Sequence, residues 1–283
     1  MSKLFCGNGV DKIFKAVRDD ISFNDIRDKC EVLWKTFELI ADSNFPEEFS
    51  KQFLARFWEM YIGVKLLELH PEVKNGAITS SSNKPAPDFL VGNVFVEAIV
   101  AERGNNIDAI PDISELSEND SVRFRECVLR LTSKVREKYK SNNLPISGQS
   151  APVVIAVNLP YPEVWICYNP PIVAQAFLGV QGLSLVKQAD GSWVGTTICQ
   201  KTIERSDNQE PVDATLFRDK TYEHISAIIL AVVNPFSSSY NNPGFELLHN
   251  PNALHPLPRG WLRLGNEYWV EGEKMLCHNH DRM

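Results

Sequence analysis

Two carboxylates, Asp88 and Glu97, interrupt the apolar run Pro87-Asp88-Phe89-Leu90-Val91-Gly92-Asn93-Val94-Phe95-Val96-Glu97-Ala98-Ile99-Val100. Gly92-Asn93 suits a two-residue type II′ turn, because glycine takes the positive φ required at the first turn position. That turn sets Val91 against Val94, Leu90 against Phe95, Phe89 against Val96 and Asp88 against Glu97. Opposed residues have Cβ atoms about 5 Å apart. Two like charges at that separation repel by about 3 kcal/mol at an effective dielectric of ~20. Both faces of the hairpin are apolar, so the sheet is expected to be covered on both sides. Such a pair calls for either a shared proton or a cation. The cation reading makes it a metal site built from hard oxygen ligands.

Two further elements bear on that reading. Glu59 lies in a strongly apolar helical segment, and among its neighbours three and four residues away only Arg56 is polar. Either Glu59 is simply paired with Arg56, or it belongs to the carboxylate site. After the hairpin, residues 123–140 carry seven Arg/Lys (123, 125, 130, 134, 136, 138 and 140) against Glu126 and Glu137. Phe124, Cys127, Val128, Leu131 and Val135 form an apolar stripe at helical spacing, with Arg130, Lys134 and Lys138 along its edge. The run is either a solvated helix face or a patch for phosphates.

The totals leave room for this chemistry without demanding it. Hydrophobic content of 43% and charged content of 23% over 283 residues suit a globular protein with a sizeable core. A net charge of −7 gives no global basic footprint, so nucleic-acid binding rests on a local patch. Six scattered cysteines without a CxxC pair read as thiols in a reducing compartment. No apolar run reaches the ~18 residues of a membrane span, and no secretory leader is evident. A cytoplasmic protein that does not engage membranes is expected.

Periodicity supplies the elements. Ile26, Cys30, Leu33, Trp34, Phe37 and Ile40 predict a helix over 24–41, and Pro46 opens a second, buried helix over 46–69. A Ser/Asn loop (79–83) precedes the hairpin and an acidic loop (105–119) follows it. Ser117 or Asp120 could cap the basic helix, which runs to about 139. A polar connector (141–152) leads to the apolar run 153–157, which with 225–233 reads as central strand. Between them fall a strand at 164–168, a short helix at 172–178 and a hairpin of 183–186 with 193–198 around 189–192. A surface loop covers 206–212, and a late hairpin is expected at Gly265-Asn266. The order predicts one domain, 1–283, with a helical part (1–45), a core (46–235) and a C-terminal extension (236–283). The fold class is α/β, a three-layer α/β/α arrangement around a central mixed sheet.

A helix with a glutamate, a hairpin carrying Pro-Asp and a later Glu, then a helix and buried strands: this order resembles the PD-(D/E)XK, or restriction-endonuclease-like, nucleases. The matching residues are Glu59, Pro87-Asp88 and Glu97, and the resemblance covers about 51–233. It implies Mg²⁺ or Mn²⁺ held by Asp88 and Glu97, with Glu59 as a further candidate, and hydrolysis of phosphodiester bonds in DNA. The bound metal would polarise the scissile phosphate and lower the pKa of a bound water. Arg130 and Lys138 would meet backbone phosphates, and a homodimer is a possible assembly. One residue departs from the pattern: Ile99 stands where the motif lysine belongs. Some members of the superfamily carry the basic residue on the following helix. By that route Lys134 is the first candidate and Lys138 the second. The alternative is a catalytically silent domain of the same fold that binds nucleic acid or protein, and a third reading leaves Asp88 and Glu97 purely structural.

Other signals carry less. His249, His255, Cys277, His278 and His280 cluster late in the chain, but their spacing fits no common structural zinc site. Cys167 or Cys199 with His224 has nothing in sequence to bring it together. Gly7-Asn8-Gly9 lacks the strand and Lys-Ser/Thr of a phosphate loop. Trp261 and Trp269 read as packing.

Overall fold

The computed structural model describes residues 3–76, 86–104, 109–110, 124–141, 150–161, 170–187, 193–205 and 210–282. Its main sheet has eight strands in the order β1-β2-β3-β4-β9-β10-β11-β12. These are β1 (Lys74–Asn75), β2 (Phe89–Val91), β3 (Val94–Val100), β4 (Val153–Asn158), β9 (Ala227–Ala231), β10 (Glu246–His249), β11 (Asn266–Glu271) and β12 (Lys274–Asn279). β3, β4 and β9 run parallel, as do β10 and β11, while the remaining neighbours are antiparallel. The protein is thus mixed α/β with a large mixed sheet.

Side-chain alternation divides the core. Val94, Val96 and Val100 of β3, Ala156 of β4 and Ile229 of β9 point to one face. They pack there with α1 (Lys12–Asp19), α2 (Asn24–Phe37), α3 (Phe45–Lys51) and α4 (Phe53–Leu69). Ile99, Ile155, Val157, Ile228 and Leu230 point to the other, against α5 (Phe124–Lys140) and α6 (Ile172–Leu178). β4 is buried at every position, as a continuous apolar run in the middle of a covered sheet requires.

The predicted 46–69 helix is two helices. Gln52, at φ −142 and ψ 65, breaks it without glycine or proline. Asp11 stabilises the break: its Oδ1 caps α1 through the N–H groups of Ile13 and Phe14, and its Oδ2 accepts the first N–H of α4, from Phe53 (3.1 Å). α4 is then fixed to the sheet by Trp58, whose Nε1–H donates to the Ala156 carbonyl at 3.0 Å.

The opening hairpin has the register set by its turn: Phe89 with Val96, Leu90 with Phe95, Val91 with Val94. Gly92 takes φ 59 while Asn93 stays out of the positive-φ region, the type II′ pattern. The late hairpin turns at Gly272-Glu273, where Glu271 faces Lys274, rather than at Gly265-Asn266. Asn266 instead begins β11, paired with Glu246 of β10. Residues 236–283, expected as an extension, therefore supply β10–β12 to the same sheet. β5 (Val180–Lys187) and β6 (Trp193–Cys199) form the middle hairpin, and β7 (Thr202–Ile203) pairs with β8 (Val212–Asp213). The loops at 79–83 and 105–119, both proposed caps at 117 and 120, the strand at 164–168 and the turn at 189–192 lie outside the described residues. Most of the connector 141–152 and of the loop 206–212 does so too. Among the described residues, no helix is long and apolar enough to cross a membrane.

Candidate functional site

Strand pairing between β2 and β3 ends at Phe89–Val96, and Asp88 takes over the next rung with its side chain. Its Oδ2 accepts the Ala98 N–H at 2.7 Å, an amide that points away from β4. Glu97, on the face of β3 shared with Phe95 and Ile99, is buried toward α5. Its Oε1 is in close contact with the Lys138 ammonium from the last turn of α5. Among the described residues its Oε2 is buried without a hydrogen-bond donor. From α4, Arg56 Nη1 donates to Glu59 Oε2 one turn away. Arg56 Nε is also buried without an acceptor among the described residues.

These charges raise one another's proton affinity. Burial pushes the Glu97 carboxyl well above its ordinary range, the Asp88 charge pushes it further, and Lys138 opposes both. Glu59 is raised by burial and then by Asp88, against Arg56. Asp88 is raised by burial against the Ala98 N–H, Lys138, Arg56 and a hydrogen bond with the Glu97 carboxyl. Among the described residues three carboxyls thus share two cations, so the site is short of positive charge or holds a proton between Asp88 and Glu97. The donor chemistry suits a hard divalent cation, with Glu97 Oε2 buried and unpaired by a protein donor among the described residues. Among the described residues, however, no three His, Cys, Asp or Glu side chains are grouped closely enough to hold one metal ion.

The fold brings Asp88 and Glu97 together and sets Glu59 near them. It separates the two lysine candidates. Lys134 is about 40% exposed and pairs with Glu137 at 3.7 Å, whereas Lys138, one turn later, reaches Glu97. The reason is axial: the last turn of α5 lies over Glu97, and spacing alone does not place a helix along a strand. Arg130 packs its guanidinium against the loop after β3, so tightly that a Cβ on Gly104 would fall 2.0 Å from Cζ. Arg123 lies outside the described residues.

A second polar cluster, not anticipated, sits on the opposite face of the sheet. Glu267 of β11 is buried and receives His249 Nε2 (2.7 Å), His280 Nε2 (2.9 Å) and the Gly260 N–H (2.8 and 3.0 Å). Those donors outweigh desolvation and hold its carboxyl down at about 2. An ionised carboxylate only accepts, so both imidazoles carry their proton on Nε2. His249 and His280 were visible in the sequence as a loose histidine cluster. Glu267 was hidden, because a buried charge breaks the alternation that marks a strand. No protein-family model, curated protein or solved structure matches this chain.

Proposed function

We propose that the chain is a divalent-metal-dependent nuclease of the PD-(D/E)XK type, acting on phosphodiester bonds in DNA. The observation that carries this reading is Asp88 one residue beyond the β2–β3 ladder, bonded to the Ala98 N–H next to Glu97, with Glu97 buried and Lys138 delivered to it by α5. Asp88 and Glu97 would hold Mg²⁺ or Mn²⁺. A cation there supplies Lewis acidity to the phosphate and acidifies a bound water. Lys138 takes the part left vacant by Ile99: its ammonium stands at Glu97, where it can orient the attacking water and offset charge on the phosphorane. The Ala98 N–H fixes one Asp88 oxygen, and a cation would replace the hydrogen bond that joins the Asp88 and Glu97 carboxyls. The Arg/Lys excess of α5 offers phosphate contacts whose contribution falls with salt.

The test is nicking of supercoiled plasmid and single-stranded DNA with Mg²⁺ or Mn²⁺. Wild type is expected to cleave, and Asp88→Ala, Glu97→Gln and Lys138→Met to lose that activity. Equal cleavage by wild type and Asp88→Ala, or none by either, overturns the proposal. A second reading, a silent binding module of this fold, is favoured by Ile99 and by the neutralisation of Glu97 by Lys138. Under it, DNA binding persists without cleavage and is indifferent to Asp88→Ala.

A further inference from the structure

The resemblance would make Glu59 a metal-side carboxylate. Three observations assign it a different task. Glu59 and Arg56 project from α4, which packs on the face of the sheet opposite to α5, whereas Glu97 points toward α5. Glu59 Oε2 is already engaged by Arg56 Nη1. No group of three acidic or imidazole side chains among the described residues converges on one ion position, so Glu59 does not join Asp88 and Glu97 as a third ligand. Arg56, by contrast, has donor capacity to spare: among the described residues its side chain bonds only Glu59, through Nη1, and it is about 30% exposed. Trp58, two residues further along α4, donates to the Ala156 carbonyl, and Ala156 pairs with Ala98, whose N–H holds Asp88, so this part of α4 lies against the same fork.

We infer that Arg56 is the phosphate-holding residue of this site and that Glu59 is the positioning residue that aims it. A guanidinium is a planar fork of N–H donors matched to two non-bridging phosphate oxygens. Glu59, largely buried, holds one arm of that fork and restricts its rotamers, so that little order is lost when phosphate arrives. This rests on the nuclease reading and sharpens it: Asp88 and Glu97 hold the metal, and Arg56 and Glu59 hold the phosphate.

The two pairs separate in one experiment. Mn²⁺ binding is measured by calorimetry on the full chain, and binding and cleavage of a short fluorescent DNA duplex are measured alongside. E59Q and R56K are expected to bind Mn²⁺ within about twofold of wild type, while D88N and E97Q lose it. R56M is expected to lose about a hundredfold in cleavage efficiency, the scale of removing one preorganised donor group. R56K should recover part of it. E59Q should lose about tenfold, chiefly in KM, and add nothing to R56M in the double variant. If E59Q weakens Mn²⁺ as E97Q does, Glu59 is a ligand and the inference is overturned. Unchanged cleavage in R56M with E97Q inactive overturns it as well. Mn²⁺ affinity unaffected by D88N and E97Q defeats the nuclease reading itself, whatever Arg56 does. Should E59Q fail to fold, E59D retains the charge on a shorter arm. It is expected to keep Mn²⁺ affinity and lose cleavage, and loss of Mn²⁺ binding in E59D counts against the inference.

Discussion

Two buried carboxylate clusters occupy the same sheet and are built on opposite principles. At the β11 end, Glu267 receives donors on both oxygens, from His249, His280 and the Gly260 N–H, and its charge is held even in acid. At the β2–β3 fork, Asp88, Glu97 and Glu59 have fewer cations than charges, and all three are driven toward the protonated form. A satisfied carboxylate serves the fold. An unsatisfied one costs stability and is kept where something else supplies the balance. Glu246 of β10 lies between these cases: buried, with a long contact of 3.4 Å from the Val173 N–H, it is pushed up to about 7.

The comparison is broken most directly by removing one acid from each cluster. Glu267→Ala leaves two imidazoles and an amide without their acceptor and is expected to cost about 3–5 kcal/mol in urea unfolding. Asp88→Asn and Glu97→Gln remove charge that burial opposes, and are expected to stay within about 1 kcal/mol of wild type at pH 8. If the fork variants are as destabilised as Glu267→Ala, the two clusters do not differ as described.

The pH dependence sharpens the contrast. Glu267 is lowered, so its contribution is present above the ordinary carboxylate range and is lost as pH falls toward about 2. Glu97, Glu59, Asp88 and Glu246 are raised, so theirs is complete below about pH 4 and is lost as pH rises through 7 and beyond. Unfolding free energy should therefore decline by roughly several kcal/mol between pH 5 and 8. Glu97→Gln should flatten that decline. Saturating Mg²⁺ or Mn²⁺ at pH 8 should restore about 2 kcal/mol of it in wild type, by mass action at roughly a hundred times Kd, and nothing in Asp88→Asn. The smallest effect separates the lysines. Lys134→Met, at a surface pair, is expected to shift stability by less than about 0.5 kcal/mol and leave the pH profile intact. Lys138→Met should move the decline to still higher pH, because Glu97 then has no cation to favour its charge.

The hairpin was legible in the sequence because a two-residue turn propagates its register: once Gly92-Asn93 is recognised, Phe89 falls opposite Val96, and Asp88 follows one residue beyond the ladder. The strands β4 and β9 announced themselves as continuous apolar runs, and α6 as the segment between Pro171 and Gly179. The β10–β12 region was not legible. Glu246, His249 and Glu267 are polar residues facing inward, so periodicity fails where the side chains are most buried. The break at Gln52 was hidden for another reason, since the group that stabilises it, Asp11, lies 42 residues away from Phe53. The choice between Lys134 and Lys138 depends on where a helix stops along a strand, which its own period does not encode.

The Trp58 bond to Ala156 carries a consequence for how this sequence can vary. Ala156 pairs with Ala98, whose N–H goes to Asp88, so two side-chain hydrogen bonds and one strand pairing link α4 to the fork. One inserted residue turns a helix by about 100°. Placed inside Arg56-Phe57-Trp58-Glu59, it would leave either the indole or the ion pair facing the wrong way. The same holds for β1, whose Lys74 and Asn75 pair with Leu90 and Phe89 of β2 and would lose that register with one inserted residue. Divergent copies of this protein should therefore keep the four-residue block, the β1–β2 register, the Pro-Asp and the Glu nine residues after that Asp.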